Sequence, residues 1–433
     1  MIRTKYLYLL LLLFTWTSFS MARIDTLSSS GAVSRALENN YGIVISKAER
    51  GIAGINNNWG TAGRYPTIGF DASANNSYSI SNEVLTDRLY AGLGLNWVIF
   101  DGFRVNITKE KLETLEIASE GALAVIIENT VEDIILGYYR VLLEKERLSV
   151  LETVMGLSRD RYDYELARQK LGGSVTYNVL QAQNVYLNDK SNVMNQQVIL
   201  RNSIRNLNFL MGEDPVSEWI FSDAFEADTS RYVMADLLEK MKSTNQILQN
   251  QYTNLMLKQQ ETQLNQSNYY PSLSLSTGIE NTYTNTYSNA SGPSNANTLA
   301  PYGNIRLSWD IYAAGNRRRA DEIARINEDI AQVNIGRKEH LLTNELFNLY
   351  DFYEVRIELL NVADEGLEAA KLNMSIADDK YRSGVINSFN FRDIQLIYLN
   401  AALQRLQAVY NLIESNTQMT RITGGYLNQA VRE

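Results

Sequence analysis

The chain has 433 residues, a formal net charge of −9, a single histidine and no cysteine. An acidic balance without a basic stripe excludes a nucleic-acid binder. The lack of cysteine excludes thiolate metal centres, cysteine nucleophiles, disulfides and a lipoprotein anchor. His340 lies among helical charges and reads as a solvated position rather than a functional one.

In chain order, the segment MIRTKYLYLLLLLFTWTSFSMA places Arg3 and Lys5 ahead of the apolar run Tyr6–Phe14, with Ser18/Ser20 or Ser20/Ala22 at cleavage positions. This is the pattern of a secretory signal peptide over 1–22, and the run is too short for a membrane helix. No later segment approaches ~18–20 consecutive apolar residues. A membrane crossing by this chain must therefore use a closed β-barrel.

A first repeat, 23–212, opens with a helical lead-in over Ala36–Asn57. Alternating segments follow at about 66–78 and 88–100, which period-two patterning marks as strands. Ile68, Phe70, Ala72, Ala74, Leu89, Ala91, Leu93, Leu95 and Trp97 share the apolar face. A long helical pattern runs over Arg104–Gln169, turns at Leu171-Gly172-Gly173-Ser174 and returns over Val175–Met211, making a hairpin over 104–211 that stops at Gly212. At 1.5 Å per residue the longer helix makes a rod on the order of 100 Å.

Residues 213–235 break the period with Pro215 and several acids and read as a connector packed outside the helices. The second repeat, 236–425, has the same order: a lead-in over Leu237–Gln266, strands at about 271–283 and 302–312, and a hairpin over 317–423. That hairpin comprises Arg317–Tyr381, the turn Arg382-Ser383-Gly384-Val385, and Asn387–Ile422, and a tail over 426–433 follows. Leu273, Leu275, Ile279, Ile305, Leu307 and Ile311 form its apolar strand face. Its long helix steps through Ile323, Ile326, Ile330 and Val333, then Leu342, Leu346, Leu349 and Tyr353, a narrow coiled-coil-like seam. The two copies hold register: Trp97 matches Trp309, Gly172 matches Gly384 and Gly212 matches Gly424, all at an offset of 212. One structural unit is used twice.

Each strand has about the length a tilted barrel crossing needs. Aromatics gather where strands begin and end: Tyr65, Tyr270, Trp97, Phe100, Trp309 and Tyr312, as in an interfacial girdle. Four strands cannot close a barrel, so several chains are needed. A soluble four-stranded sheet packed on a core is the competing reading of the same alternation.

Trp97-Val-Ile-Phe-Asp-Gly102 and Trp309-Asp-Ile-Tyr-Ala-Ala-Gly315 stand at the strand-to-helix junctions, with Tyr381-Arg-Ser-Gly384 and Asp393 at the second tip, and Pro66 and Pro271 opening strands. With the signal peptide and the duplication, this ordered set resembles the TolC-like outer-membrane efflux ducts of Gram-negative bacteria over about 30–425. The resemblance implies a mixed α and β membrane protein: a homotrimer with one twelve-stranded transmembrane β-barrel and a periplasmic α-barrel of long antiparallel helical hairpins. It implies an exit duct that passively conducts substrates for a tripartite efflux or type I secretion system. Its partners would be outer-membrane lipid, a periplasmic adaptor protein and an inner-membrane pump. The adaptor-contacting tips would be Gly172, Gly173, Ser174, Val175, Ser383, Gly384 and Val385. The family's constriction carries two acidic positions after the second tip; here they are Asn390 and Asp393, with Asn178 and Gln181 as first-repeat counterparts. Three Asp393 side chains would form an acidic ring. Tyr381 matches the family's tip-closing tyrosine, while Ile386 replaces its arginine, a role that Arg382 or Arg392 would then have to fill.

An enzyme is not expected: adjacent acids such as Asp378/Asp379 and Glu132/Asp133 do not face each other on a helix, and no metal, nucleophile or phosphate-loop spacing is present. No cofactor is expected. The alternative function is an exported coiled-coil structural or adhesin-like protein without channel activity. Arg317, Arg318 and Arg319 start a helix, where positive charge opposes the dipole, and contact with lipid headgroups or acidic neighbours is expected there.

Overall fold

The computed structural model describes residues 25–288 and 291–426. The signal peptide assigned to 1–22, and the tail from 427 on, lie outside the described residues. Two compact units are formed, one by 25–41, 129–232 and 348–421, the other by 42–128, 233–347 and 422–426.

In the second unit the alternating segments join one antiparallel sheet. Its strands are β2 (Thr67–Ser79), β3 (Val84–Phe100), β5 (Ser272–Ser288) and β6 (Gly292–Ser308), paired in that order. The register brings the alternation into rows. Phe70 faces Leu93, Leu93 faces Ile279, and Ile279 faces Pro301; one step on, Ile68 faces Leu95. The apolar face ends at a polar row, with Asn76 opposite Asp87, Asp87 opposite Asn285, and Asn285 opposite Asn295. From Leu273 to Tyr283 at ~3.4 Å per residue and ~45° tilt, that band is ~25 Å tall, the height of a barrel's lipid belt. No other element covers it: Ile68, Phe70 and Leu307 are 69, 70 and 69 % exposed. Each such side chain left in water forgoes ~1.5–3 kcal/mol of burial, which a soluble sheet would not sustain across a whole face.

β5 and β6 run longer than their alternation marks, because 281–300 is rich in Asn, Thr and Ser and reads as loop. Pro293 and Pro301 lie in β6, an edge strand, where a missing N–H is tolerated. β6 stops at Ser308, so Trp309, Ile311 and Tyr312 fall beyond the strand expected to hold them. Trp309 still repeats the geometry of Trp97. The Trp97 indole N–H donates to the Arg64 carbonyl at 2.9 Å, and that of Trp309 to the Tyr269 carbonyl at 3.2 Å. Phe103 stacks edge-on against both Phe100 and Tyr270. Tyr65 immediately precedes β2.

Each strand-to-helix junction needs two successive left-handed residues: Gly102 and Phe103 at φ 71° and 68°, Ala314 and Gly315 at φ 50° and 74°. Glycine takes the first position in one repeat and the second in the other, so the duplicated turn keeps its path while its glycine has moved. Of the three arginines beyond it, Arg319 donates to the Ala314 carbonyl at 3.1 Å and Arg317 lies over the Tyr269 ring at 5.8 Å. These two contacts brace the junction.

The expected lead-in helices are each broken by one asparagine. α1 (Ser29–Asn39) and α2 (Tyr41–Asn56) flank Asn40; α5 (Met234–Thr244) and α6 (Gln246–Ser267) flank Asn245. Asparagine leaves the helix readily because its side chain replaces backbone partners. Asn40 donates to the Leu210 carbonyl at 2.7 Å, and Asn245 to the Ile422 carbonyl at 2.9 Å. A Cβ on Gly212 would meet the Asn39 carbonyl at 2.3 Å, and one on Gly424 the Thr244 carbonyl at 2.7 Å. Both returning helices therefore end on a glycine pressed against the break of a lead-in pair.

The hairpins are α3 (Arg104–Lys170) with α4 (Thr176–Met211), and α7 (Asn316–Arg382) with α8 (Ser388–Ile422). On α7 the buried face differs from the expected seam. Ala324, Ala331 and Ile335 are buried, as are Leu342, Leu346 and Tyr353, whereas Ile323, Ile326, Ile330 and Val333 are exposed. Small alanines face the helix's own neighbours, and the isoleucine stripe is left outward.

In the first unit the connector contributes β4 (Trp219–Phe221), parallel to β1 (Asp25–Leu27), a pair too short for patterning to reveal. It is tied to the helices. Tyr138, fully buried, donates to the Leu27 carbonyl at 2.9 Å, and Trp219 donates to Asn208 Oδ1 at 2.7 Å. Tyr353 donates to the Ser230 carbonyl, and burial pushes its phenol up to about 12.

Candidate functional site

The two hairpin tips are copies of one turn. Gly172 and Gly384 adopt φ of 79° and 77°. The Gly173 N–H reaches back to the Arg168 carbonyl, and the Val385 N–H to the Lys380 carbonyl, both at 2.8 Å. This is a left-handed helix cap that only glycine enters without strain. Gly172, Gly173, Val175, Ser383, Gly384 and Val385 are exposed, and Ser174 is half-buried. Apolar side chains stand among them in water, Leu171 at 88 % and Val385 at 71 % exposure.

Behind the turns, the parts of both hairpins that carry the tips, 129–211 and 348–421, lie in the first unit and are joined by polar links. Tyr381, on α7, donates to Glu165 Oε1, on α3, at 2.7 Å. Ser174 donates to Glu165 Oε2, and Arg168 stands 3.6 Å from Oε1. Burial, and then the Glu165 carboxylate, push the Tyr381 phenol upward, so it stays a donor. Its ring stacks on Phe391 at 4.9 Å and meets Tyr164 edge-on, in a core that includes Met374 and Ala377. Ile386 packs against that core. The position where the family has arginine thus supplies apolar contact.

The two candidate substitute arginines differ in their partners. Arg382 pairs with Asp378 on its own helix at 2.9 Å. Arg392, on α8, makes a two-pronged bond with Asp189, on α4, at 2.8 and 2.9 Å. Ser158 also donates to Asp189, and Gln395 bridges the Val154 carbonyl and Ser158 at 2.9 and 3.1 Å. Arg168, Glu165, Asp189 and Arg161 carry much of this arrangement and were not singled out in the sequence. Their only signal is that they lie within about four turns of a tip, in a stretch where all charges look alike. Arg161 is buried, and it borders a cleft of about 410 Å³ with Tyr164, Asp378 and Tyr381.

The expected constriction residues are less drawn in. Asn390 and Asp393 are exposed. Asn178 donates to Ser174 Oγ at 3.5 Å, and Gln181 holds a buried Oε1 without a hydrogen-bond partner among the described residues. The structure therefore brings Tyr381 and Ser174 into one linked cluster and leaves Asn390 and Asp393 facing outward from the single chain. No described cluster of His, Cys, Asp or Glu could hold a metal, and no described helix is long and apolar enough to cross a membrane.

Comparison with known proteins agrees with this architecture. No curated protein sequence matches significantly. Among solved structures, the CusC channel superposes with a TM-score of 0.74 at 17 % identity, covering 93 % of both chains. The outer-membrane channel OprN gives 0.72 at 18 %, covering 92 % of this chain and 90 % of that one. The CmeC outer-membrane channel of Campylobacter jejuni gives 0.70 at 16 %, over 92 % and 85 %. The model of the outer membrane efflux protein family matches residues 32–213 and 237–425. With most of both repeats inside that match, the chain belongs to the outer membrane efflux protein family and is an outer-membrane efflux channel extending into the periplasm.

Proposed function

We propose that three copies of this chain close a twelve-stranded barrel and act as the exit duct of a tripartite efflux or type I secretion system. Substrates pass passively from an inner-membrane pump through a periplasmic adaptor to the exterior, with no chemical step on the way. The observation that carries this reading is the sheet: four strands, one predominantly apolar face, and two unpaired edges, β2 and β6. An open edge in lipid strands backbone groups without partners, so copies must join edge to edge. Eight strands leave an interior filled by side chains, and twelve leave a lumen. The outward stripe of Ile323, Ile326, Ile330 and Val333 gives the helices an apolar face for the same association.

On this reading the two repeats, 23–212 and 236–425, each supply a strand pair and a hairpin, joined by the connector 213–235. Trp97, Phe100, Tyr270 and Trp309 hold the level of one membrane interface. The tips at 172–175 and 383–385 meet the adaptor, and Asp393 faces its two symmetry mates. A soluble coiled-coil or adhesin-like protein is disfavoured by the bare apolar sheet. Adding purified protein to planar bilayers tests the proposal: stepwise conductance and a heat-resistant trimer are expected, and absence of both would refute it.

A further inference from the structure

The two carboxylate links between the hairpins near the tips share an asymmetry. Both carboxylates, Glu165 on α3 and Asp189 on α4, belong to the first-repeat hairpin. The donors that reach these carboxylates from across, Tyr381 on α7 and Arg392 on α8, belong to the second. Each carboxylate is already occupied. Glu165 receives Tyr381 and Ser174, with Arg168 close by; Asp189 receives two bonds from Arg392 and one from Ser158.

Arg161 lies near both acids and is 3 % exposed. Its Nε, Nη1 and Nη2 have no hydrogen-bond partner among the described residues. Burial lowers its proton affinity; Tyr381, Glu165 and Asp189 act in the opposite sense, and Arg392 repels it. A guanidinium carries five N–H donors, and holding all of them unused in a buried site is strongly unfavourable. The cleft beside it does not read as a site for a diffusible anion, since Asp160, Asp163 and Asp378 line it too.

The geometry points to a second arrangement in which Arg161 is the reserve partner of Glu165 and Asp189, engaged when α7 and α8 draw away from α3 and α4. This inference rests on the duct reading, in which the tips separate to conduct. Separation removes Tyr381 from Glu165 and Arg392 from Asp189 together, and both acids remain on the hairpin that carries Arg161. Glu165 is four residues on along the same helix, so the two side chains need only change rotamer to meet. Tyr381 and Arg392 lose hydrogen bonds on opening, while Arg161 gains them. It therefore biases the tips toward the open state, opposing the two links that hold them shut.

The test is single-channel recording of the assembled full-length protein in planar bilayers, comparing wild type, Arg161→Met, Arg161→Lys and Tyr381→Phe, with thermal denaturation in parallel. Arg161→Met is expected to open roughly tenfold less often, the worth of one charged hydrogen bond, while melting at or above the wild-type temperature. Arg161→Lys keeps the cation and falls between. Arg161→Met should also lower opening in the Tyr381→Phe background. Unchanged or more frequent opening overturns the inference, and so does a destabilised or unassembled Arg161→Met protein, because Arg161 would then be holding the closed tip. If neither wild type nor Tyr381→Phe conducts, the duct reading fails and takes the inference with it. Conductance in both, with Arg161→Met indistinguishable from wild type, removes the inference alone.

Discussion

The sheet and the hairpin tips distribute polarity in opposite senses, and both reverse what a soluble protein does. On the sheet, large apolar side chains lie outward and uncovered; at the tips, Arg161, Glu165 and Asp189 are 3, 2 and 3 % exposed. Charged residues are almost never that buried unless paired. The sheet's inversion follows from its solvent, since lipid rewards an apolar exterior and penalises any open edge. On the proposed opening of the tips, the inversion there follows from motion. A hydrogen bond is directional, made in one geometry and lost when a partner moves by an ångström or two, and the freed group can then take another donor. A static wall suits the first arrangement and a joint suits the second.

The contrast is broken most severely on the sheet. Leu93 lies opposite both Phe70 and Ile279, in the middle of the apolar band. Leu93→Arg should cost about 2–4 kcal/mol of membrane-inserted stability, the range for arginine at mid-bilayer depth on a barrel's lipid face. Ser276→Arg, on the opposite face of the same sheet, should assemble normally. Heat-modifiable gel mobility of outer-membrane fractions reads both. Equal behaviour of the two variants would refute the assignment of faces.

At the joint the expected effect is smaller. Tyr381→Phe keeps the ring in its core and removes the hydroxyl, so Glu165 keeps Ser174 and Arg168 but loses its link to the other hairpin. Losing a hydrogen bond to a buried carboxylate costs about 1–3 kcal/mol, charged here against the closed tip. Channel openings should become roughly ten- to a hundredfold more frequent. A variant that opens no more often than wild type would show that the link does not hold the tips.

Much of this was legible in the sequence, and the failures have physical causes. Helix ends were readable because glycine caps mark them, as at Gly172 and Gly384. Strand faces were readable because period two has few imitators. β5 and β6 were cut short because Asn, Thr and Ser beyond the lipid band carry no hydrophobic contrast. The breaks at Asn40 and Asn245 were missed because one asparagine barely disturbs helical periodicity. The seam on α7 was read in part: Leu342, Leu346 and Tyr353 pack within the chain, while Ile323, Ile326, Ile330 and Val333 face away from it and buried alanines take their place, because alanine lets two helices approach. Glu165, Asp189 and Arg161 were invisible for a different reason: a buried ion pair and a solvated one have the same letters, and only the fold says which is which.

The smallest expected effect tests where the joint ends. Asp393 is one residue beyond Arg392, yet it is exposed while Arg392 is committed to Asp189. One helical position thus separates a charge that joins hairpins from an exposed charge that, in the proposed trimer, is left for the lumen. An isolated exposed carboxylate attracts a cation by only about 1 kcal/mol at 4 Å in water, and salt screens it further. Three copies brought together on an axis act on one ion at once, which is the usual construction of a cation-selective ring. Asp393→Asn should therefore weaken block by hexaamminecobalt(III) a few-fold, more at low salt than at high salt. Frequency of opening should not change, because Asp393 takes no part in the links. Unaltered block would place Asp393 away from the permeation path; altered opening with unaltered block would make it part of the joint and erase the boundary between the two roles.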